Sequence, residues 1–365
     1  MRVLFAGGGT GGHINPAISI ANYIKEKDNN FEALFVGTMR GLEKKLVPEA
    51  GYNIEYIDIS GFDRRNLLKN FSVLKKLIKS RKDSVKIIKD FKPDVVVATG
   101  GYVSGPVLMA AAKLGVPSII HEQNVYPGLT VKGSEKYVDY VAVSFSETLN
   151  HMNKPEKCVV TGNPIRGELL KVSKTDAREK LGLSEKPFVL VFGGSLGAQK
   201  INNAMVEVIK KLGNESPVTL YFGTGDRNYQ NVMESFSGEK ISEDIKILPY
   251  ISNMAEVMAA SDLVVCRSGA ITLSEVAALK KPSILIPSPN VVRNHQEQNA
   301  REYEKAGGAF VLTEDKLTGD VLYEKIMELS ADEGKLSKMS ENVKKLAKTD
   351  ALEKIYELIK KIKIN

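Results

Sequence analysis

A histidine stands directly behind five glycines in the opening stretch MRVLFAGGGTGGHINP. His13 is the type of residue that moves a proton near neutral pH. Glycines let a backbone turn tightly and bring its N–H groups close to an anion at a helix start. Gly7, Gly9 and Gly12 fit G-x-G-x-x-G between a strand and a helix, the spacing of a dinucleotide fingerprint. The acidic residue that should end the next strand and hold a ribose is missing, because that strand ends in VGT (36–38). No Lys-Ser or Lys-Thr follows the glycines, which excludes a Walker loop. What remains is anion binding, at roughly 0.3–1 kcal/mol per charge from the helix end.

The pattern recurs three times. DVVVATGGYVSGP sets Gly100 and Gly101 at a strand end, FVLVFGGSLGAQ sets Gly193, Gly194 and Gly197, and DLVVCRSGAITLSE sets Ser268 and Gly269. One such turn can serve chain geometry alone. Four of them, two in each half of the chain, point to two phosphorylated ligands. GGSLG (193–197) also matches G-x-S-x-G, the nucleophile elbow, with Asp262 and His295 following in hydrolase order. A hydrolase has one sheet, whereas this chain repeats its plan. Ser195 is therefore read as a phosphate contact.

The elements that must position these residues are strands alternating with helices. RVLFAG, EALFVGT, NIEYIDIS, DVVVATG, PSIIHE and YVAVSF read as strands separated by helical spacing. The rhythm resets near GNPIRGELL (162–170) and resumes with FVLVFGG, VTLYFGTG, IKILPY, DLVVCRSG and PSILIPS. The expectation is an α/β chain of two Rossmann-like domains, 1–163 and 164–346, facing a central cleft, with a last helix over 347–365 packing back on the first. At 365 residues the chain is long for a single core.

Composition is that of an ordinary globular protein, 43% hydrophobic and 26% charged. Cys158 and Cys266 are too far apart in sequence for a metal-ligand pattern and imply a reducing compartment. No signal peptide is expected. The longest uncharged run (95–112) is broken by Gly100, Gly101, Gly105 and Pro106, so no membrane crossing is expected. Eleven Lys or Arg between Arg64 and Lys92 face only Asp83 and Asp90, a net +9 against +7 for the whole chain. The remainder is slightly acidic, which argues against nucleic acid as a partner. Phe62, Leu67, Leu68, Phe71, Val73, Leu74, Leu77 and Ile78 lie among these cations. The mixture reads as an amphipathic stretch on anionic lipid, or as a solvated helix face packed on the first sheet.

GGGTGGHINP, ATGGYVSGP, HEQNVYPGLT, TGNPIR, FGGSLGAQKIN and CRSGAITLSE occur in this order. Together they resemble the MurG family of bacterial glycosyltransferases across essentially the whole chain. The resemblance implies a GT-B fold and inverting transfer of N-acetylglucosamine (GlcNAc) from UDP-GlcNAc to the MurNAc 4-hydroxyl of lipid I, the undecaprenyl-diphospho-MurNAc-pentapeptide. The product is lipid II, for peptidoglycan synthesis and hence cell division and shape. It also implies no metal or other cofactor, and a peripheral place on the cytoplasmic face of the cell membrane through segment 64–92.

By the same resemblance, donor contacts fall on Ser195, on Ala270, Ile271, Thr272, Leu273, Ser274 and Glu275, and on Ile251, Arg166, Asn124 and Gln296, with Gln298 a weaker candidate. Glu275 would accept the ribose hydroxyls, and the backbone of Ile251 would hold the uracil edge. Thr10, Gly11 and Gly12 would meet the donor as well. Gly11 and Gly12, with Gly100, Gly101 and Tyr102, would cradle the acceptor diphosphate. His13 is then either the base for the 4-hydroxyl or a binding residue, its pKa lowered by the helix N-terminus. His121 and Glu122 are further candidates, with a structural role as the alternative. A related transferase with another acceptor, a sugar-nucleotide epimerase and a non-catalytic nucleotide-binding scaffold are the competing readings.

Overall fold

The computed structural model describes residues 1–61, 69–194 and 197–364. The chain divides into two compact units, Met1–Ile165 with Thr349–Asn365, and Arg166–Lys348.

In the first unit, strands β1 (Arg2–Gly7), β2 (Glu32–Gly37), β3 (Asn53–Tyr56), β4 (Val95–Gly100), β5 (Ser118–Glu122), β6 (Tyr140–Val143) and β7 (Cys158–Val160) form one sheet. Its order is β3-β2-β1-β4-β5-β6-β7 and every pairing is parallel. Strand β7, too short to carry a pattern, was not foreseen from the sequence. Helices α1 (Gly11–Lys27), α2 (Glu43–Glu49), α3 (Lys69–Phe91), α4 (Ser104–Leu114) and α5 (Leu129–Ser134) make the crossovers.

Residues of β1 and β4 alternate between two cores, which explains their unbroken apolar runs. Leu4, Ala6, Val96 and Ala98 pack with Val107 and Leu108 of α4 and Ile88 of α3. Val3, Phe5, Val95 and Val97 pack on the other face with Ile14, Ile20 and Ile24 of α1.

The second unit contains α6 (Lys174–Leu181), β8 (Phe188–Phe192), α7 (Gln199–Leu212), β9 (Thr219–Gly223), α8 (Asp226–Glu234), β10 (Ile245–Leu248), α9 (Met254–Ala260) and β11 (Leu263–Cys266). It continues through α10 (Ala270–Ala278), β12 (Ser283–Leu285), α11 (His295–Lys305), β13 (Ala309–Val311), α12 (Gly319–Ser330) and α13 (Glu333–Lys344). The sheet runs β10-β9-β8-β11-β12-β13, again parallel throughout. Its core joins Val189, Val191, Val265 and Phe222 to Ile201, Met205 and Val208 of α7 and to Leu322 and Ile326 of α12.

Helix α14 (Ala351–Ile364) belongs to the first unit. Ile355, Leu358, Ile359 and Ile362 recur at helical spacing and bury one face in the core that α1 also lines. Burying each such side chain contributes about 1.5–3 kcal/mol. Ile359→Val, which removes one buried methylene, is expected to lower unfolding free energy by about 0.5–1.5 kcal/mol in urea titration.

In each sheet the strand order reverses beside the first strand of the unit, between β1 and β4 and between β8 and β11. Such switch points are where open α/β sheets bind ligands, beyond the strand carboxyl ends. All four glycine-bearing turns leave the carboxyl ends of these four strands.

Candidate active site

In the first unit the turns after β1 and β4 interlock. A methyl group on Gly101 would overlap the Gly8 carbonyl, and one on Gly100 would come within 2.7 Å of His13 Nδ1. Gly100 and Gly101 also hold φ of 106° and 78°, where side chains are strained. Gly11 and Gly12 differ: an added Cβ there would meet nothing closer than 3.6 Å. No contact within the chain therefore demands glycine at the first turn of α1, where alanine would favour the helix by about 1 kcal/mol. Room for a backbone-hugging ligand gives those two positions a reason.

Thr10 caps α1 without using its side chain, and it is exposed together with Gly12. The Gly100 N–H, by contrast, donates to Ser104 Oγ at 3.0 Å, so that amide is already engaged. Tyr102 is 59% exposed beside the same turn.

An acid does reach the first glycine turn, although not from the strand end. Glu43, fully buried at the start of α2, accepts the Gly9 N–H at 2.8 Å through Oε2. Its Oε1 accepts the Thr38 N–H and hydroxyl, both at 2.8 Å. A side chain at Gly8 or Gly37 would meet this carboxylic side chain at 2.7 or 2.5 Å. Sequence reading missed Glu43, because nothing in the local pattern distinguishes it from a solvent-facing acid opening a helix.

His13 lies in the first turn of α1 and is half-buried. Its Nδ1 is 3.0 Å from the Thr99 carbonyl and 3.1 Å from Gln123 Oε1. Burial holds its pKa below the ordinary 6.5, while both hydrogen bonds oppose that shift. The direction agrees with the sequence-based expectation, but the main cause is desolvation rather than the helix end.

His121 is buried on β5, donates from Nε2 to the Gly162 carbonyl at 3.0 Å, and is pushed down to about 4 by burial. The Glu122 carboxylate accepts the Asn124 N–H and amide through Oε1, at 2.9 and 3.1 Å, and the Gly128 N–H through Oε2 at 2.7 Å. It thereby ties down the loop that presents Asn124.

In the second unit, Ser195 lies outside the described residues. Beside it, a methyl group on Gly197 (φ 73°) would overlap the Thr224 carbonyl. Helix α10 starts at Ala270 behind Gly269, which offers no capping side chain. Thr272, Ser274 and the apolar Ile271 and Leu273 follow in its first turns, and Tyr303 fixes it by donating its hydroxyl to the Leu273 carbonyl at 2.9 Å.

Glu275, one turn further on, is buried and pairs with Arg166, whose Nη2 and Nε lie 3.1 and 3.2 Å from Oε1. Burial pushes the Glu275 carboxyl up and Arg166 counters this. The structure thus brings together two of the expected donor residues, 109 positions apart in sequence. Gln296, in the first turn of α11, accepts the Ser288 N–H through Oε1 at 2.9 Å, and its carbonyl accepts the Ser268 hydroxyl. Gln298 is exposed, and Ile251, just past β10, is buried. Asp262 pairs with Lys174 and Arg178 and accepts the Phe188 N–H, which gives it a structural task. Among the described residues no group of three or more His, Cys, Asp or Glu side chains could hold a metal ion.

Residues 3–143 match the glycosyltransferase family 28 N-terminal domain, and residues 188–355 match the family 28 C-terminal domain. The UDP-N-acetylglucosamine--N-acetylmuramyl-(pentapeptide) pyrophosphoryl-undecaprenol N-acetylglucosamine transferase of Acetivibrio thermocellus is 49% identical, over 100% of this chain and 99% of its own. The transferase of the same name from Thermoanaerobacter sp. is 50% identical, over 99% and 100%. The chain belongs to the MurG family.

Among solved structures, Acinetobacter baumannii MurG superposes with a TM-score of 0.80 at 27% identity, over 99% of each chain. A UDP-GlcNAc 2-epimerase from Neisseria meningitidis shares the fold at a TM-score of 0.67 and 16% identity, over 99% of this chain and 100% of its own. Fold likeness therefore extends beyond MurG to an epimerase. The full-length identity to the transferases is what separates the MurG reading from the epimerase one.

Proposed function

We infer that this MurG-family chain transfers GlcNAc from UDP-GlcNAc to the MurNAc 4-hydroxyl of lipid I, with inversion, yielding lipid II. The observation that carries this is the 49–50% identity over the whole chain to transferases of that name. Glycine turns at the switch point of each sheet supply the anion-binding backbone that two diphosphate substrates require. In this reading the second unit holds the donor. The N-terminus of α10 offsets charge developing on the departing UDP, and Glu275 takes the ribose hydroxyls. Gln296 and Ile251 bind the sugar and the uracil edge, and Ser195 meets the diphosphate.

In the first unit Gly11, Gly12, Gly100, Gly101 and Tyr102 are assigned to the acceptor diphosphate, and Thr10, Gly11, Gly12 and Asn124 to the donor. His13 Nε2 takes the proton of the 4-hydroxyl as that oxygen attacks the anomeric carbon and UDP departs. The experiment is UDP release from UDP-GlcNAc with and without a lipid-diphosphate-MurNAc acceptor. Turnover that proceeds equally without the acceptor overturns the reading.

The cationic segment supports contact with an anionic membrane surface. Among the described residues no helix is long and apolar enough to cross a membrane. On α3, Lys75, Lys79, Lys82, Lys86 and Lys89 are exposed at helical spacing, with Ile78 beside them 56% exposed. Val73 is buried and Leu77 packs against the core beneath α4, so these two belong to the interior rather than to a lipid face. Lys76 pairs with Asp58 at 2.9 Å. Phe62, Leu67 and Leu68 lie outside the described residues, as do the side chains of Phe71 and Leu74. Each Lys near an anionic surface contributes about 1 kcal/mol. Reversing Lys75, Lys79 and Lys82 to Glu is expected to weaken binding to phosphatidylglycerol vesicles more than 100-fold in co-sedimentation. Equal binding to neutral vesicles, or no loss on reversal, would remove this surface from the proposal.

A further inference from the structure

We propose that Gln123 is a positioning residue for His13. Its buried side-chain amide fixes the imidazole as the Nδ1–H tautomer and leaves Nε2 as the atom that receives the substrate proton. The inference rests on the reading of His13 as the base. It names a residue that neither the glycine turns nor the histidine pattern singled out.

The hydrogen positions follow from partners that can act in only one sense. The Thr99 carbonyl, 3.0 Å from His13 Nδ1, can only accept, so Nδ1 carries the proton. At the other end of the chain of bonds the Gly162 carbonyl can only accept from His121 Nε2, so His121 is protonated there and bare at Nδ1. Between them lies the Gln123 amide, 3% exposed. Its Nε2 donates to the Thr99 carbonyl at 2.8 Å and to His121 Nδ1 at 3.0 Å. A flipped amide would set an oxygen against the Thr99 and His121 carbonyls, the latter 3.2 Å away. The orientation is therefore determined, and Oε1 faces His13 Nδ1 as a second acceptor at 3.1 Å. Each proton along His121–Gln123–His13 has one place to be.

The arrangement suits a base that must be neutral before the reaction and cationic after it. When Nε2 takes the 4-hydroxyl proton, Nδ1–H stays in place. The Thr99 carbonyl and Gln123 Oε1 both stabilise the imidazolium, as a carboxylate does in a catalytic triad. An uncharged amide does this without the large rise in basicity that a carboxylate would cause, so the resting ring stays unprotonated at neutral pH. Gly100 completes the fit, because any side chain there would displace the ring at Nδ1.

The test uses the full-length protein. In 15N-edited NMR of wild-type protein, neutral His13 is expected to show a protonated Nδ1 and a bare Nε2; the opposite tautomer overturns the proposal with no variant needed. Gln123→Met, which keeps length and removes the hydrogen bonds, is expected to lower kcat about 10²-fold. KM for UDP-GlcNAc and for a lipid-diphosphate-MurNAc acceptor should change little, because the amide is buried behind the imidazole and bonded within the chain. In a His13→Ala background, Gln123→Met should cost nothing more. An undiminished kcat, or a loss that adds in full to that of His13→Ala, overturns the proposal. Should Gln123→Met fail to fold, the tautomer measurement decides alone. His13→Ala retaining full turnover would instead sink the underlying base assignment, so the two failures are distinguishable.

Discussion

His13→Ala is expected to lower kcat by about 10²–10⁴-fold, the span of a general base, or about 2.7–5.5 kcal/mol of barrier. The affinity for UDP-GlcNAc should hold, because the donor contacts proposed above fall mainly on α10 and α11. The pH profile supplies a second readout. Burial keeps the His13 pKa below its ordinary 6.5, so the neutral, competent form persists down to that lowered value. Turnover should therefore stay level above pH 6.5 and fall only as acidity protonates the ring. A substitution that raises KM and spares kcat would assign His13 to binding, the second role that its position at the head of α1 permits.

Glu43→Ala is the second large effect. The carboxylate is completely buried and accepts the Gly9 N–H, the Thr38 N–H and the Thr38 hydroxyl. Its removal strands two backbone donors at about 1–3 kcal/mol each. It also opens a void beside Gly8, Gly37 and Gly41, which crowd that side chain. At roughly 2–4 °C per kcal/mol for a unit of this size, the first melting transition should fall by about 10 °C. The turn that delivers Gly11 and Gly12 loses its anchor at Gly9, so kcat/KM should fall as well. Glu43→Gln retains one acceptor oxygen and the volume, and should lose less on both counts. An unchanged melting curve together with an unchanged kcat/KM would show that the carboxylate is dispensable.

The candidate site residues differ in how far the sequence exposes them. Apolar runs such as RVLFAG and DVVVATG are legible as buried parallel strands because both faces of the sheet are covered, and His13 and Glu275 stand out as ionisable groups beside glycine turns. Gln123 is silent in sequence, since an amide next to a histidine carries no periodic or charge signal. Only its neighbours across β4 and β5 give it a role. Glu43 is silent for a related reason: the ribose-binding position after β2 reads VGT, and the acid that does reach the glycine turn comes five residues later and turns inward. In the cationic segment the sequence left eight apolar residues open between a lipid face and the sheet, and the fold buries Val73 and packs Leu77 on the core, because a helix lying on a sheet must bury one stripe whatever the other does.

By itself the sequence determined the two repeated α/β halves, the four anion-friendly turns and the family, since strand and helix periods and short motifs are local properties of the chain. The tertiary structure decided which turns are neighbours: β1 lies beside β4 and β8 beside β11, pairings between strands far apart in the chain that no local pattern encodes. It also decided where each proton sits along His121, Gln123 and His13. Tautomer and amide orientation depend on carbonyls contributed by Thr99 and Gly162, and those meet the side chains only when the sheet closes around them.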